Sequence, residues 1–563
     1  FPTRRSSDLS MKKKVISLFL AVMLVTLAGC SGSDNNTEKT ITGNEEIQNM
    51  EGADTTGTPL SGDVDIWAPY EETVTLRTVT SEIANAVYPE GDDVTSNVWT
   101  REYKERFNVE VVTDWVSDEY DTKLNLSIAE GDLPDVFHVN ESQLQQLVDA
   151  DLIWDLTDIY ETYASDAVKS YISSDPDCLE AGQRNGRLYG IPQMHYGPLE
   201  QLDYVWIRKD WRENLNLDEP ETMDDLVEIM RAFMKEYGGY GMGAEQTLDH
   251  LNLLAVGWGA HPDAWIRTDD GQIAYGSVQP EMKAALEAWS EWYKEGILSP
   301  DFAMMDLEKM NQDVISGKVG VQPFYQWWGW NPGKDVVSAL GKDAYFEPFQ
   351  IPGATGEEVL QTLTFANTSY TVVSKSCEHP EAALKLINLY GYILDDAAGK
   401  EDQEWIDSFT MNDMAHVVGA FRVLNPNSGD IDYTQTIEAL KAQDPSGITT
   451  VGAMQRYNDN IEWMEKQTPS ALGSVLQIGL GRCSYGIAKN IIDNGKYIRS
   501  ELKGITPDTL INSGTTLEDI LTEGFTKIII GDQPIDYFDT VVDNWKAAGG
   551  EQVTLEMNEI YNQ

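Results

Sequence analysis

Val74-Thr75-Leu76-Arg77-Thr78-Val79 opens the first regular segment of the chain, and the order of elements that begins there decides the fold class. The hexapeptide is rich in β-branched residues and reads as a strand. Asn97 to Phe107 has helical spacing, and Val109-Glu110-Val111-Val112 reads as a second strand. Tyr120 to Ala129 is helical and is closed by Glu130-Gly131-Asp132-Leu133-Pro134. Asp135-Val136-Phe137-His138-Val139 is a third strand, and Gln143 to Val148 starts another helix. This βαβαβ rhythm predicts an α/β fold, with a mostly parallel sheet covered by helices. A second series begins at Tyr204-Val205-Trp206-Ile207-Arg208, with a helix at Met223–Glu236 and a strand at Lys318–Gln322. Met282, Leu286, Trp289 and Tyr293 form one helical stripe; Ala383, Leu386, Ile387 and Tyr390 form another, in a largely helical C-terminal third. Such stripes pack a core.

Upstream, Lys12-Lys13-Lys14 precedes an apolar run from Val15 to Leu27 that is too short to span a bilayer. The run ends in Leu27-Ala28-Gly29-Cys30, so residues 11–29 read as a signal peptide, and residues 1–10, ahead of Met11, as a non-native leader. The cysteine at the cleavage point resembles the lipobox of bacterial lipoproteins, which implies lipidation at Cys30 and an extracellular, membrane-tethered protein. The alternative is a secreted chain with an incidental cysteine. Residues 30–70 hold only isolated apolar side chains among polar ones and read as a flexible tether. The remainder is longer than one core usually serves, which predicts two domains.

The formal net charge of −53 makes nucleic acid a poor partner, because phosphate binding draws on clustered Lys and Arg. Cysteines at 30, 178, 377 and 483 include no CxxC pair, and the six histidines include none spaced i, i+4. No zinc signature, GxSxG elbow or cofactor motif follows. Gly329-Trp330-Asn331-Pro332-Gly333-Lys334 superficially resembles a phosphate loop, but the spacing is short and Ser or Thr is missing after Lys334. Acidic residues are so numerous that a glycosidase pair of carboxylates cannot be singled out by inspection.

Several phrases, in this order, resemble the extracellular solute-binding proteins of bacterial ABC importers, and within them the large sugar-binding branch that includes the Lpl-type lipoproteins. They are Gly131-Asp132-Leu133-Pro134-Asp135-Val136, Leu188-Tyr189-Gly190-Ile191-Pro192, Trp206-Ile207-Arg208-Lys209-Asp210-Trp211 and Tyr293 to Phe302. Ser316-Gly317-Lys318-Val319-Gly320, Cys377 to Ala383, Phe525 to Gly531 and Asp539 to Asn558 complete the series. The resemblance implies two α/β lobes joined by hinge strands, with a ligand cleft between them. It places a first crossing near Ile191-Pro192 and a return near Thr364–Tyr370. Lobe 1 then comprises residues 71–193 and 366–430, and lobe 2 comprises 194–365 and 431–563. It also implies a monomer that binds an oligosaccharide, serves a permease and is no enzyme; the alternatives are a receptor for a peptide or another polar solute, a ligand sensor, and a surface glycoside hydrolase. Some relatives carry an acidic calcium loop where this chain has Met234 to Gly243, which lacks the oxygen ligands that calcium needs. No metal is expected there.

Sixteen tryptophans are unevenly spread, and Pro323-Phe324-Tyr325-Gln326-Trp327-Trp328-Gly329-Trp330-Asn331-Pro332 concentrates them where a cleft-facing loop should lie. Flat rings offer area to the apolar faces of sugars at low entropic cost. Tyr325, Trp327, Trp328 and Trp330 are therefore candidate ligand contacts, with a packed hydrophobic corner as the alternative. His195 and Tyr196 follow the first crossing and could reach the cleft. Glu245 and Trp258 are further candidates from lobe 2. Glu82, Trp99, Asn140, Asn367 and Tyr370 are candidates at strand ends and at the return crossing. For Asn140 the alternative is helix capping.

Overall fold

The computed structural model describes residues 64–562 apart from 84–87, 195–196, 355–357, 366, 368 and 396–417. Val74–Ser81 pairs in parallel with Val109–Ser117, and the helix Val98–Phe107 connects them. Asn97 caps that helix by accepting the Trp99 N–H at 3.0 Å, and Asn108 ends it at φ 57°, a conformation Asn tolerates. Trp99, Tyr103 and Phe107 recur every fourth residue and are all buried, so one face of the helix is core.

The third strand, Val136–Val139, pairs antiparallel with Tyr370–Val373, which also pairs antiparallel with Ile191–Pro192. The expected mostly parallel sheet is therefore mixed. A segment that leaves and returns much later enters the sheet in the opposite direction, which the antiparallel ladder accommodates as well.

A second sheet has the order Phe346–Phe349, Asp203–Arg208, Val319–Tyr325, Tyr240–Met242. The first three strands are antiparallel to their neighbours and the last is parallel. The strand Val319–Tyr325 runs past the expected Gln322, so Pro323, Phe324 and Tyr325 end a strand instead of forming a loop. Both faces are covered. Val205, Ile207 and Val321 join a core with Met230, Trp289 and Phe525, whereas Tyr204, Trp206 and Phe324 join one with Trp328, Phe346 and Leu476. That is why the strand reads as a continuous apolar run and does not alternate.

The cores draw on discontinuous segments. One collects residues from Val74 to Met194 and from Val373 to Val451, and another collects Val205 to Val359 and Leu517 to Met557. Three chain segments run together between them. The Gln193 N–H donates to the Ser369 carbonyl at 3.0 Å, and the Leu424 N–H donates to the Gln193 carbonyl at 2.9 Å. The Met194 N–H reaches Asn367 Oδ1 at 3.2 Å, and the Thr364 N–H reaches Gln201 Oε1 at 2.9 Å.

The end of the stretch expected to be a flexible tether is docked. Lys385 Nζ donates to the carbonyls of Ile66 and Ala68 at 3.0 and 2.9 Å, and the Tyr70 hydroxyl donates to Glu381 at 2.8 Å.

The stretch Met234 to Gly243 closes the helix Met223–Tyr237 and turns into the strand Tyr240–Met242 through Gly238 (φ 78°) and Gly239 (φ 75°). A Cβ on Gly239 would lie 2.0 Å from the Lys318 carbonyl oxygen, whereas a Cβ on Gly238 would meet open space. Gly238→Ala should therefore cost about 1–2 kcal/mol, from the left-handed backbone alone. Gly239→Ala should cost distinctly more, because a ladder carbonyl cannot yield. Urea midpoints of the two variants should fall in that order; equal midpoints would contradict the close approach.

Candidate functional site

The antiparallel register places Tyr325, the last residue of its strand, opposite Asp203, the first residue of the neighbouring strand. Both open onto a cavity of about 790 Å³, within the range of small-molecule sites. After Tyr325 the chain turns. Trp327, 37% exposed, stands on the cavity wall, parallel to Tyr325 (ring centroids 5.9 Å, interplanar 17°) and edge-on to Phe324 at 4.6 Å. Trp330 also lines the cavity and rests on Gly473, where a Cβ would come within 2.4 Å of the indole. From another core, Tyr390 on the helix Glu381–Asp395 contributes to the cavity lining with Leu424 and Val451.

The polar lining is strongly acidic. Glu200, Asp203, Asp249, Asp263 and Asp432 face the cavity, and Arg456 is the one cation among its described lining residues. Arg456 is already engaged: its Nε donates to Gln477 at 3.0 Å, its Nη1 lies 3.7 Å from Asp432, and its guanidinium stands over Trp330 at 5.9 Å. Glu200 accepts the Gly197 N–H at 2.8 Å and the Tyr485 hydroxyl at 3.1 Å. Asp263 accepts the hydroxyls of Tyr275 and Ser277 at 3.1 and 3.3 Å. Burial pushes the Glu200 and Asp203 carboxyls up to about 7 and raises those of Asp263 and Asp432. Loss of water disfavours the charged form of each. The Asp203 carboxyl holds no hydrogen bond or ion pair among the described residues, so its oxygens are open to a guest.

Of the residues expected from sequence, Tyr325, Trp327 and Trp330 come together at the cavity. Trp328 does not. It is fully buried, stacked on Trp206 at 5.2 Å, and fills the core behind the wall. Trp99 is likewise buried and stacks on Tyr390 at 5.1 Å, supporting a wall residue from behind. Trp258 packs against Trp289 and Trp292, away from the cavity. Glu245 is buried and accepts the His250 backbone N–H at 2.9 Å, with His250 Nδ1 at 3.0 Å, so it braces a turn. Asn140 caps the helix Glu141–Asp149 by accepting the Gln143 N–H, the capping alternative. Glu82 is exposed at a strand end, outside the cavity lining. Asn367 and Tyr370 are buried in the crossing, where Asn367 ties down Met194. These eight side chains do not line the cavity. His195, Tyr196 and Cys30 lie outside the described residues.

Sequence reasoning missed the acidic lining, Tyr390, and the helical contributors Asp432, Arg456 and Gln477. An acidic residue opening an apolar strand was the available signal for Asp203. The helical contributors carry none, since only the tertiary fold brings them in. Among the described residues no group of three or more His, Cys, Asp or Glu is placed to hold a metal ion, and Cys178, Cys377 and Cys483 are free and buried. No described helix is long and apolar enough to cross a membrane.

Comparison with known proteins gives a consistent picture. The family described as bacterial extracellular solute-binding protein matches residues 88–391. The chain is 24% identical over 491 residues to lipoprotein LipO of Bacillus subtilis, covering 80% of this chain and 86% of LipO. It is 22% identical over 487 residues to the polygalacturonan/rhamnogalacturonan-binding protein YtcQ of the same organism, covering 82% and 88%. Among solved structures, that of the Streptococcus pneumoniae ABC-transporter substrate-binding protein FusA (an EF-hand mutant) with fructo-nystose superposes with a TM-score of 0.59 at 15% identity, covering 87% of this chain and 99% of FusA. The shared fold is the two-lobed α/β architecture.

The buried carboxyls set a pH dependence. Glu200 and Asp203 ordinarily titrate at 4.5 and 3.8, and both are near 7 when folded. Between roughly pH 4 and 7 these two groups hold protons in the folded state that they have released in the unfolded chain, so the stability they contribute falls as pH rises through that window. His138 and His261, whose imidazoles burial lowers to about 4, act with the opposite sign over the same range, so the share of the two carboxyls is read as the difference between the ligand-free protein and a variant that lacks them. From pH 5 to 7.5 the melting temperature should fall relative to that of a Glu200→Gln/Asp203→Asn variant; an identical slope would contradict the assignment.

Proposed function

The chain belongs to the bacterial extracellular solute-binding proteins, and we propose that it captures an oligosaccharide between its two lobes and delivers it to an ABC transporter permease. The observation that carries this reading is the pairing of Trp327 and Tyr325, parallel rings on one wall of a cavity whose other groups are carboxylates, amides and hydroxyls. Such rings suit the C–H faces of sugars, and the carboxylates and amides suit their hydroxyls. The relative YtcQ is named for binding polygalacturonan and rhamnogalacturonan and FusA is solved with fructo-nystose, which supports a carbohydrate ligand.

In this reading lobe 1 comprises residues 71–193 and 366–430, and lobe 2 comprises 194–365 and 431–563. Trp327, Tyr325 and Trp330 stack on sugar rings, and Tyr390 closes from the facing lobe, held by Trp99. A ligand touching both walls stabilises the closed population, which needs no bond to be made or broken. The crossing segments near Gln193, Thr364 and Leu424 are the hinge, and His195 and Tyr196 beside it remain proposed contacts. The signal peptide and Leu27-Ala28-Gly29-Cys30 support a lipid anchor at Cys30 on the outer face of the cell membrane, as does the lipoprotein name of LipO. The protein acts as a monomer.

A thermal-shift screen of the mature chain against oligosaccharides and peptides tests the reading, because a ligand that binds only the folded state raises apparent stability. An oligosaccharide should raise the melting temperature and come out of the incubation uncleaved. Stabilisation by peptides alone, or shortened glycan products, would contradict it. With that oligosaccharide, Trp327→Ala should weaken binding by about 1–3 kcal/mol. Trp328→Ala should instead lose about 3–5 kcal/mol of folding stability, as a core tryptophan.

A further inference from the structure

We propose that the cavity selects an uncharged, hydroxyl-rich glycan over glycans that carry carboxylates, and that Asp203 sets this preference. The inference rests on the carbohydrate reading of the same cavity and narrows its substrate class. Recognition of an anionic glycan needs free Arg or Lys side chains, or clustered N–H donors, aimed at each carboxylate. This cavity offers the reverse. Five carboxyl groups line it, and its one described cation, Arg456, is committed to Asp432 and Gln477 with Trp330 beneath it. The Tyr485 hydroxyl is spent on Glu200, and the Gln477 amide donates to Gln326.

An uncharged sugar fits the same set. Its hydroxyls donate, and carboxyl oxygens accept at up to about four lone-pair positions each. Asp203 is the clearest acceptor. It sits at the strand end opposite Tyr325, lines the cavity, and has no side-chain partner among the described residues. A sugar ring laid on Trp327 and Tyr325 would present its edge hydroxyls to that carboxyl. Above pH 7, where Asp203 is mostly ionised, a uronate there would set like charges side by side with little water between them. Burial raises Asp203 and Glu200 toward neutrality, so at pH 7 a fraction of these groups is protonated and donates to sugar oxygens as well.

Calorimetry on the mature protein at pH 8.5, where Asp203 and Glu200 are ionised, tests this, with uncharged oligosaccharides, oligogalacturonate, methyl-esterified oligogalacturonate of the same length, and a glucosamine oligomer as probes. The best uncharged chain should bind at least about 100-fold more tightly than oligogalacturonate, since close like charges cost several kcal/mol and each 1.4 kcal/mol is tenfold. Asp203→Asn, which keeps the side-chain shape, should narrow that ratio about tenfold, with an unchanged circular dichroism spectrum as the folding check. An unchanged ratio in the variant removes Asp203 as the determinant. Oligogalacturonate binding as tightly as the best uncharged chain overturns the inference while leaving the carbohydrate reading intact, and tighter binding of the glucosamine oligomer does the same. Binding of no glycan of any charge overturns the carbohydrate reading beneath it.

Discussion

The antiparallel pairing of Asp203–Arg208 with Val319–Tyr325 fixes which residues of this sheet open onto the cavity. Successive side chains on a strand point to opposite faces. Tyr204, Trp206 and Phe324 therefore enter one core while Val205, Ile207 and Val321 enter another. With both faces sealed, only the end of the strand pair is free, and the register puts Asp203 and Tyr325 at that end. The turn after Tyr325 completes the division. Trp328 goes inward to stack on Trp206, and Trp327 stays on the wall. One buried indole holds the other in place.

The part of the lining that Tyr390 contributes is built by the same economy of support. Trp99, near the start of an early helix, stacks behind Tyr390, so a residue from the N-terminal third positions one contributed by a much later helix. The crossing segments, tied at Gln193, Met194 and Thr364, lie beside the cavity and not remote from it, since Thr362 and Thr364 line it. The acidic lining adds a constraint of its own: its carboxyls are costly to bury charged and gain from neutral hydroxyl partners.

Much of the architecture was legible in the sequence. The β-branched hexapeptide at Val74, the helix at Asn97 and the strand at Val136 are where local pattern places them. The direction of strand pairing was not legible, because local pattern does not encode which distant segment a strand meets. The ring-rich stretch was correctly located but not correctly divided. The seat of Trp330 depends on Gly473, which lies far along the chain and admits the indole only because it lacks a Cβ. Asn140, Glu245 and Asn367 were candidates by position, yet each is used by a nearby backbone N–H, a demand that propensity does not reveal. The carboxylates of the lining were hidden in an acidic background, and only the tertiary fold singles out Asp203, Glu200 and Asp432.

The most direct measurement is a crystal structure of the mature protein with an oligosaccharide that stabilises it. The expected result is a sugar ring in van der Waals contact with the Trp327 indole, a hydroxyl hydrogen-bonded to Asp203, and Tyr390 against the same ligand. A glycan bound elsewhere on the molecule, with the cavity filled only by solvent, would contradict it.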